Sequence, residues 1–95
     1  MIHELKVQPP YFEALRDGTK TFEVRRNDRA FQRGDRLKLT EMRENGWTVN
    51  SESTPLHFEV TYVYAGDPRF GGVEPGHVVL GLRPLVPSAS LEATE

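Results

Sequence analysis

The stretch Lys20-Thr21-Phe22-Glu23-Val24-Arg25-Arg26 carries the fold prediction, because polar and apolar side chains alternate along it. Such a period-two pattern, with β-branched and aromatic residues, is typical of a β-strand. It predicts that Phe22 and Val24 face a core. The opposite face would carry a hydroxyl, a carboxylate and a guanidinium about 7 Å apart: Thr21, Glu23 and Arg25.

The residues before this stretch predict a strand and then a short helix. Residues 2–7 alternate from Glu4 on, as a half-buried strand does. The prolines at 9 and 10 suit the first turn of a helix, where a missing N–H has no partner to lose. Gly18 stands where a left-handed helix cap belongs. One helical face would hold three apolar side chains: Tyr11, Phe12 and Leu15.

The residues after the stretch predict further strands and no βαβ units. Alternation indicates strands over residues 36–41, 56–64 and 77–82, and Asn45-Gly46 signals a hairpin whose returning strand starts near residue 47. The fold class is therefore mainly β with one or two short helices (α+β), a small mixed β-barrel of five to six strands with a helix at one end. In the longest strand, one face would hold Leu56, Phe58, Val60, Tyr62 and Tyr64.

Length and composition limit what the chain can be. Its 95 residues fit one domain, predicted over 1–86, and the prolines and small polar residues beyond it predict a flexible C-terminal tail over 87–95. There is no long apolar run and no signal segment, so we expect a cytoplasmic protein without a membrane partner. The absence of cysteine excludes disulfides and thiolate metal sites.

The charge is unevenly distributed. The net charge is -2, yet residues 20–38 hold seven basic side chains against three acidic ones. A local basic patch binds a phosphate chain even on a weakly acidic protein. A solvated surface with local ion pairs is the alternative interpretation of the same pattern.

The stretch also resembles a known family. Gly18 to Arg25, followed by Asn27-Asp28-Arg29 and Gly34-Asp35, is similar to the ASCH domain family, in particular to a branch of small proteins from bacteria and their viruses. The resemblance extends from about residue 2 to residue 83. It implies a PUA-like barrel related to RNA-binding domains, with a cleft between barrel and helix. The strand that matches Lys20–Arg25 would line this cleft.

Two functions follow from the resemblance. The first is a module that binds RNA or a nucleotide. Its ligand-binding residues would be Lys20, Thr21, Glu23 and Arg25 in the cleft, with Arg26, Arg29 and Arg36 guiding phosphates. Lys20 would pair with Glu23, leaving Arg25 free for the ligand.

The second function is a small hydrolase, which leaves the question of enzymatic activity open. It would be a ribonuclease that acts on RNA, or an enzyme that acts on a modified nucleoside. The second alternative corresponds to the amidohydrolases of the family, which act on acetylated cytidine. Lys20 and Glu23 would then be the catalytic residues. The family's threonine, three residues after the lysine, is replaced here by Glu23, which cannot serve as a hydroxyl nucleophile.

The remaining candidates are weaker. The histidines at 3, 57 and 77 lack metal-ligand spacing, so we expect no metal and no cofactor. Trp47 would stack on a base or, more often in such positions, pack on a neighbouring strand. A protein partner is a third alternative to RNA, and we expect a monomer or a weak dimer.

Overall fold

Five strands and one helix form the part of the chain that the computed structural model describes, residues 1–85. The predicted helix and five of the six predicted strands are confirmed in order and type. The predicted returning strand after Gly46 is wrong: it is reduced to a single bridge between Met42 and Val49. The tail predicted over 87–95 lies outside the described residues. The elements are β1 (Ile2–Val7), α1 (Pro9–Asp17), β2 (Phe22–Arg26), β3 (Arg36–Glu41), β4 (Leu56–Tyr64) and β5 (His77–Pro84).

The strands form one curved sheet, a half-barrel, in the order β1-β3-β4-β5-β2. β1 runs parallel to β3, and the other neighbouring pairs are antiparallel. This confirms the prediction of a mainly β, mixed architecture with a short helix. Within residues 1–85 no strand ladder joins the two outermost strands, β1 and β2. A seam therefore separates these two sheet edges.

The helix closes one end of the half-barrel with an apolar face. Pro9 and Pro10 occupy its first turn, and Gly18 ends it with φ of 86°, a conformation that costs glycine little. Phe12 and Leu15 are buried, whereas Tyr11 is 56% exposed. The prediction that Tyr11 shares this buried face is wrong, since only Phe12 and Leu15 of the three predicted residues are buried. Nowhere in residues 1–85 is there a helix long and apolar enough to cross a membrane.

A bulge in β4 changes which of its side chains face the core. Phe58 and Val60 are buried as predicted, but the pairing with β5 shifts between Val60 and Tyr62. An extra residue in a strand reverses the facing of every residue beyond it. Val63 therefore packs against the core, and Tyr62, predicted to be buried, is 64% exposed.

Candidate functional site

The seam between β1 and β2 opens into a cleft of about 600 Å³. This volume lies within the range of typical small-molecule sites. The end of β1, the start of α1, β2 and the first residue of β5 surround it. The lining side chains are Lys6, Val7, Gln8, Tyr11, Lys20, Phe22, Glu23, Val24, Arg25, Arg26 and His77.

The C-terminus of the helix positions Lys20 at the cleft. Asp17 accepts hydrogen bonds from the backbone N–H and the hydroxyl of Thr19. These hydrogen bonds hold the pKa of Asp17 below its usual range, and the one from the hydroxyl has the larger effect. The N–H of Lys20 then donates to the carbonyl of Ala14 at 3.0 Å. The backbone of Lys20 is thereby tied to the last turn of α1 before β2 begins.

A three-residue charge cluster, Lys20, Glu23 and Arg25, lies at the centre of the cleft. The Nζ of Lys20 is 2.5 Å from Oε1 of Glu23, and Nε of Arg25 is 3.0 Å from Oε2 of the same carboxylate. The Glu23 side chain is 6% exposed, whereas those of Lys20 and Arg25 are 19% and 25% exposed. Both oxygens of the buried carboxylate are paired with a cation, and the cluster keeps one net positive charge toward the cleft.

The predicted pairing of Lys20 with Glu23 is confirmed, but the prediction that Arg25 is free is wrong. Besides its bond to Glu23, Arg25 donates from Nη2 to the backbone carbonyl of Lys6 at 2.8 Å. Lys6 lies on β1, so this hydrogen bond crosses the seam. The two residues are 19 positions apart in the sequence, so no local pattern indicates this contact.

Aromatic rings flank the ammonium group of Lys20. Its Nζ lies 5.0 Å from the centre of the Tyr11 ring and 5.3 Å from the centre of the Phe22 ring. Both distances are within the range of cation–π attraction. The rings and the carboxylate of Glu23 together restrain Lys20, so that the cleft has a cation in a defined position.

The facing of β2 is the reverse of the prediction. Phe22 and Val24 are 43% and 50% exposed, whereas Glu23 is 4% exposed. The cause is the register against the neighbouring strand: Glu23 lies opposite Leu80, and Arg25 lies opposite Val78. Residues opposite each other in a ladder point to the same side. Because β5 buries Leu80 and Val78 in the core, Glu23 and Arg25 point inward too.

The other predicted site residues do not all converge. Arg26 lines the cleft, but Thr21, Arg29 and Arg36 lie outside the lining. Thr21 contributes a backbone carbonyl that accepts from the N–H of Leu82. Arg29 lies in the loop between β2 and β3, and Arg36 is the first residue of β3. Three cleft residues were not predicted from the sequence: Lys6, Tyr11 and His77. In the sequence they stand out only as polar or aromatic residues near the ends of strands or of the helix.

The histidines lie in three different surroundings. His77 lines the cleft and His57 is exposed on β4. His3 is buried, and its Nε2 is 2.8 Å from Oδ2 of Asp35. No group of three or more histidine, aspartate or glutamate side chains converges within residues 1–85 in a way that suits a metal ion. Trp47 is 86% exposed, so the prediction that it packs on a strand is wrong.

Asp35 is a buried carboxylate whose charge the fold stabilises. Burial alone raises its pKa, but the hydrogen bonds from His3, the N–H of Gln32 and the N-terminal ammonium, together with the charge of that ammonium, outweigh it. The pKa of Asp35 is therefore lowered. This group lies with His3 and Phe31, whose rings are 4.8 Å apart, outside the cleft lining.

Comparisons with known proteins show the family and the fold of the chain. The family model of DUF3850, a domain of unknown function, matches residues 2–82. An uncharacterized 12.9 kDa protein in the GpA 3′ region of Escherichia phage P2 is 45% identical over 40 residues, which are 42% of this chain and 37% of the phage protein. The matched segment thus spans less than half of that relative.

A solved structure supports the fold. The crystal structure of hypothetical protein PH0355 aligns with a TM-score of 0.55 over 90% of this chain and 100% of that chain, at 20% sequence identity. At this identity the likeness concerns the fold alone.

Proposed function

We propose that this chain, which belongs to the DUF3850 family, binds single-stranded RNA or a nucleotide in the cleft between β1 and β2, as an ASCH-type, PUA-like module. The half-barrel with one helix is compatible with that resemblance. The proposal is supported by a cleft that residues of the stretch 20–26 line together with the end of β1 and the start of α1.

The charge of the cleft carries the proposal. Its lining holds four cations and one carboxylate, a net charge of +3 on a chain whose overall charge is -2. Concentrating cations in a concave surface attracts a polyanion and raises its local concentration. The cations are Lys6, Lys20, Arg25 and Arg26, and the carboxylate is Glu23.

The apolar part of the lining suits a base or a sugar. The rings of Tyr11 and Phe22 both lie close to Lys20, and bases stack on aromatic rings with little dependence on sequence. A phosphate near Arg26 and a base near these rings would use both halves of the cleft. Arg26 and Lys6 are the available phosphate ligands of the set, because both are exposed and neither forms an ion pair within the described residues. Of the two, the guanidinium of Arg26 can bind a phosphate through two N–H groups.

Binding of labelled oligoribonucleotides by fluorescence anisotropy tests the proposal. We expect Arg26→Ala to weaken binding several-fold at low salt, because one phosphate contact is lost. Arg43→Ala is the matched control, since Arg43 is exposed and lies outside the cleft lining. Equal affinities for the wild type, Arg26→Ala and Arg43→Ala, or no binding by the wild type at low salt, would refute the proposal.

A second candidate function, hydrolysis, rests on the Lys20–Glu23 pair. A lysine held at 2.5 Å from a carboxylate in an open cleft is placed to donate a proton to a leaving group. Against this, Glu23 already accepts from Arg25 as well, which reduces its use as a base toward water. Incubation with labelled RNA and with an acetylated nucleoside separates the two functions: turnover that Lys20→Met abolishes would favour a ribonuclease or an amidohydrolase.

A further inference from the structure

The face of β2, β5 and β4 that points away from the core carries an apolar surface that begins at the cleft, where Phe22 and Val24 belong to both, and extends beyond the cleft lining on β5 and β4. Phe22 and Tyr62 lie on either side of Gly81, since both are register partners of that glycine. They are 43% and 64% exposed. The next row of the same face contains Val24, Val79 and Tyr64. We call these six residues the outer platform.

Gly81 adds no side chain between the two strands, and the hydroxyl of Thr61 lies close beside it. A Cβ atom at this position would lie 3.1 Å from Oγ1 of Thr61 and 3.5 Å from Cβ of Tyr62. The strands that carry Phe22 and Tyr62 are two strand spacings apart, about 9–10 Å. A flat ring with van der Waals contacts on both faces takes about 7–8 Å. The spacing of the strands therefore allows one base to contact both rings, with the hydroxyl of Thr61 beside it.

Basic residues border the outer platform at both ends. Arg26 continues β2 on the same face, beyond Val24, and lies opposite His77. At the other end, the next row on the outward face brings together Arg83, Glu59 and Arg36. Glu59 forms an ion pair with Arg83, whereas Arg36 and Arg26 form none within residues 1–85. An apolar strip between unpaired cations is complementary to bases that are joined by phosphates.

From this arrangement we infer that the outer platform is a base-stacking surface for single-stranded RNA, with Phe22 and Tyr62 as the stacking rings. The inference rests on the proposed function and extends it to a second surface. Arg26 connects the two, because it lines the cleft and also borders the platform. A strand that runs over Val24 and Phe22 in the cleft thus reaches Val79 and Tyr62 on the neighbouring strands.

The experiment compares an oligouridine with an abasic oligoribose phosphate of the same length, a probe that retains phosphates but lacks bases. We expect the wild type to bind the oligouridine more tightly. Tyr62→Leu should weaken oligouridine binding by about 5- to 150-fold, the range measured for loss of a stacked base. It should leave binding of the abasic probe unchanged. Tyr62→Phe, which retains the ring, should bind as the wild type does.

Trp47→Ala is the control for an exposed aromatic residue outside the platform, since Trp47 lies in the loop between β3 and β4. It should leave both affinities unchanged. Should Tyr62→Leu prove poorly folded in an unfolding titration, photocrosslinking of the wild type to the oligouridine replaces it. The expected crosslinks include Tyr62 or Tyr64, and crosslinks confined to Tyr11, Phe22 or Trp47 would contradict the inference.

The outcomes separate this inference from the proposed function. Oligouridine binding that Tyr62→Leu leaves unchanged, with Arg26→Ala still weakening it, would overturn the platform and keep the cleft. No wild-type binding to either probe would overturn both. Dimerisation of the free protein that Tyr62→Leu abolishes would also overturn the platform, because a second copy of the chain would then cover it.

Discussion

Nη2 of Arg25 donates a hydrogen bond of 2.8 Å to the backbone carbonyl of Lys6, and this bond connects two sheet edges that no ladder joins in the described chain. The same guanidinium donates from Nε to Glu23. Arg25 is therefore a structural clasp of the half-barrel as well as a wall of the cleft. This double role changes what a mutation at position 25 should do.

Arg25→Ala should destabilise the protein. It removes two charge-assisted hydrogen bonds and leaves Glu23 with Lys20 alone, so we expect a loss of about 1–3 kcal/mol in the free energy of unfolding. Urea denaturation followed by circular dichroism measures this loss. The control is Arg26→Ala, whose side chain forms no ion pair within residues 1–85 and should cost about 0.5 kcal/mol or less. Equal stability of the two variants would show that the clasp contributes nothing.

The Lys20–Glu23 pair should show energetic coupling. With 19% and 6% of the two side chains exposed and 2.5 Å between the charged atoms, solvent screens the pair only in part. A double-mutant cycle with Lys20→Met and Glu23→Gln should give a coupling energy of about 1–2 kcal/mol. Additive effects of the two mutations on the unfolding free energy would mean that the close contact is not maintained in solution.

The reversed facing of β2 is testable with two matched valines. Val24 is 50% exposed, whereas Val78, on the adjacent strand, is 2% exposed. Val78→Ala should cost about 2 kcal/mol because it removes buried apolar volume. Val24→Ala should cost about 0.5 kcal/mol or less. If thermal and urea denaturation gave the opposite order, Val24 would face the core, as the sequence pattern had predicted.

The stability of the fold should fall at acidic pH, and Asp35 should account for part of that fall. Its pKa is lower in the folded state than in the unfolded chain, so the unfolded state binds more protons at low pH and stability rises with pH. The stabilisation is complete above the unfolded pKa of about 3.9 and is lost as the pH falls through the folded pKa.

Urea denaturation at a series of pH values measures this dependence. At pH 6 the free energy of unfolding of the wild type should exceed that of Asp35→Asn by about 1–3 kcal/mol. The reason is that the substitution weakens the buried hydrogen bond between His3 and residue 35. The two curves should converge as the pH falls below 4. A constant difference across the whole range would show that the charge of Asp35 contributes nothing.

RNA binding should depend on salt. If the cleft contacts three or four phosphates, the affinity for a single strand should drop at least about tenfold between 50 and 200 mM salt, since bound counterions are released. Arg26→Ala should lower the slope of log affinity against log salt by about 0.7, the contribution of one phosphate of a single strand. Binding that is insensitive to salt would instead indicate a neutral small ligand or a protein partner.

Several features of the candidate site were predictable from the sequence because they are local. Gly18 marked the end of the helix, and the three-residue spacing of Lys20 and Glu23 placed their charges within reach of each other. Both features depend on backbone geometry over a few residues. The order and type of the elements followed in the same way from periodicity, although the bulge in β4 left no signal that would have separated Tyr62 from Phe58.

The sequence by itself determined that β2 has one polar and one apolar face, and where the strands, the helix and the basic segment lie. Only the tertiary structure decided which face of β2 points inward, because alternation is symmetric and the choice depends on the register against Leu80 on β5. It also decided that Arg25 reaches Lys6 and that His3 meets Asp35. In these two contacts the partners are separated by 19 and by 32 positions in the sequence. Such pairs form only once the whole sheet has brought their strands together.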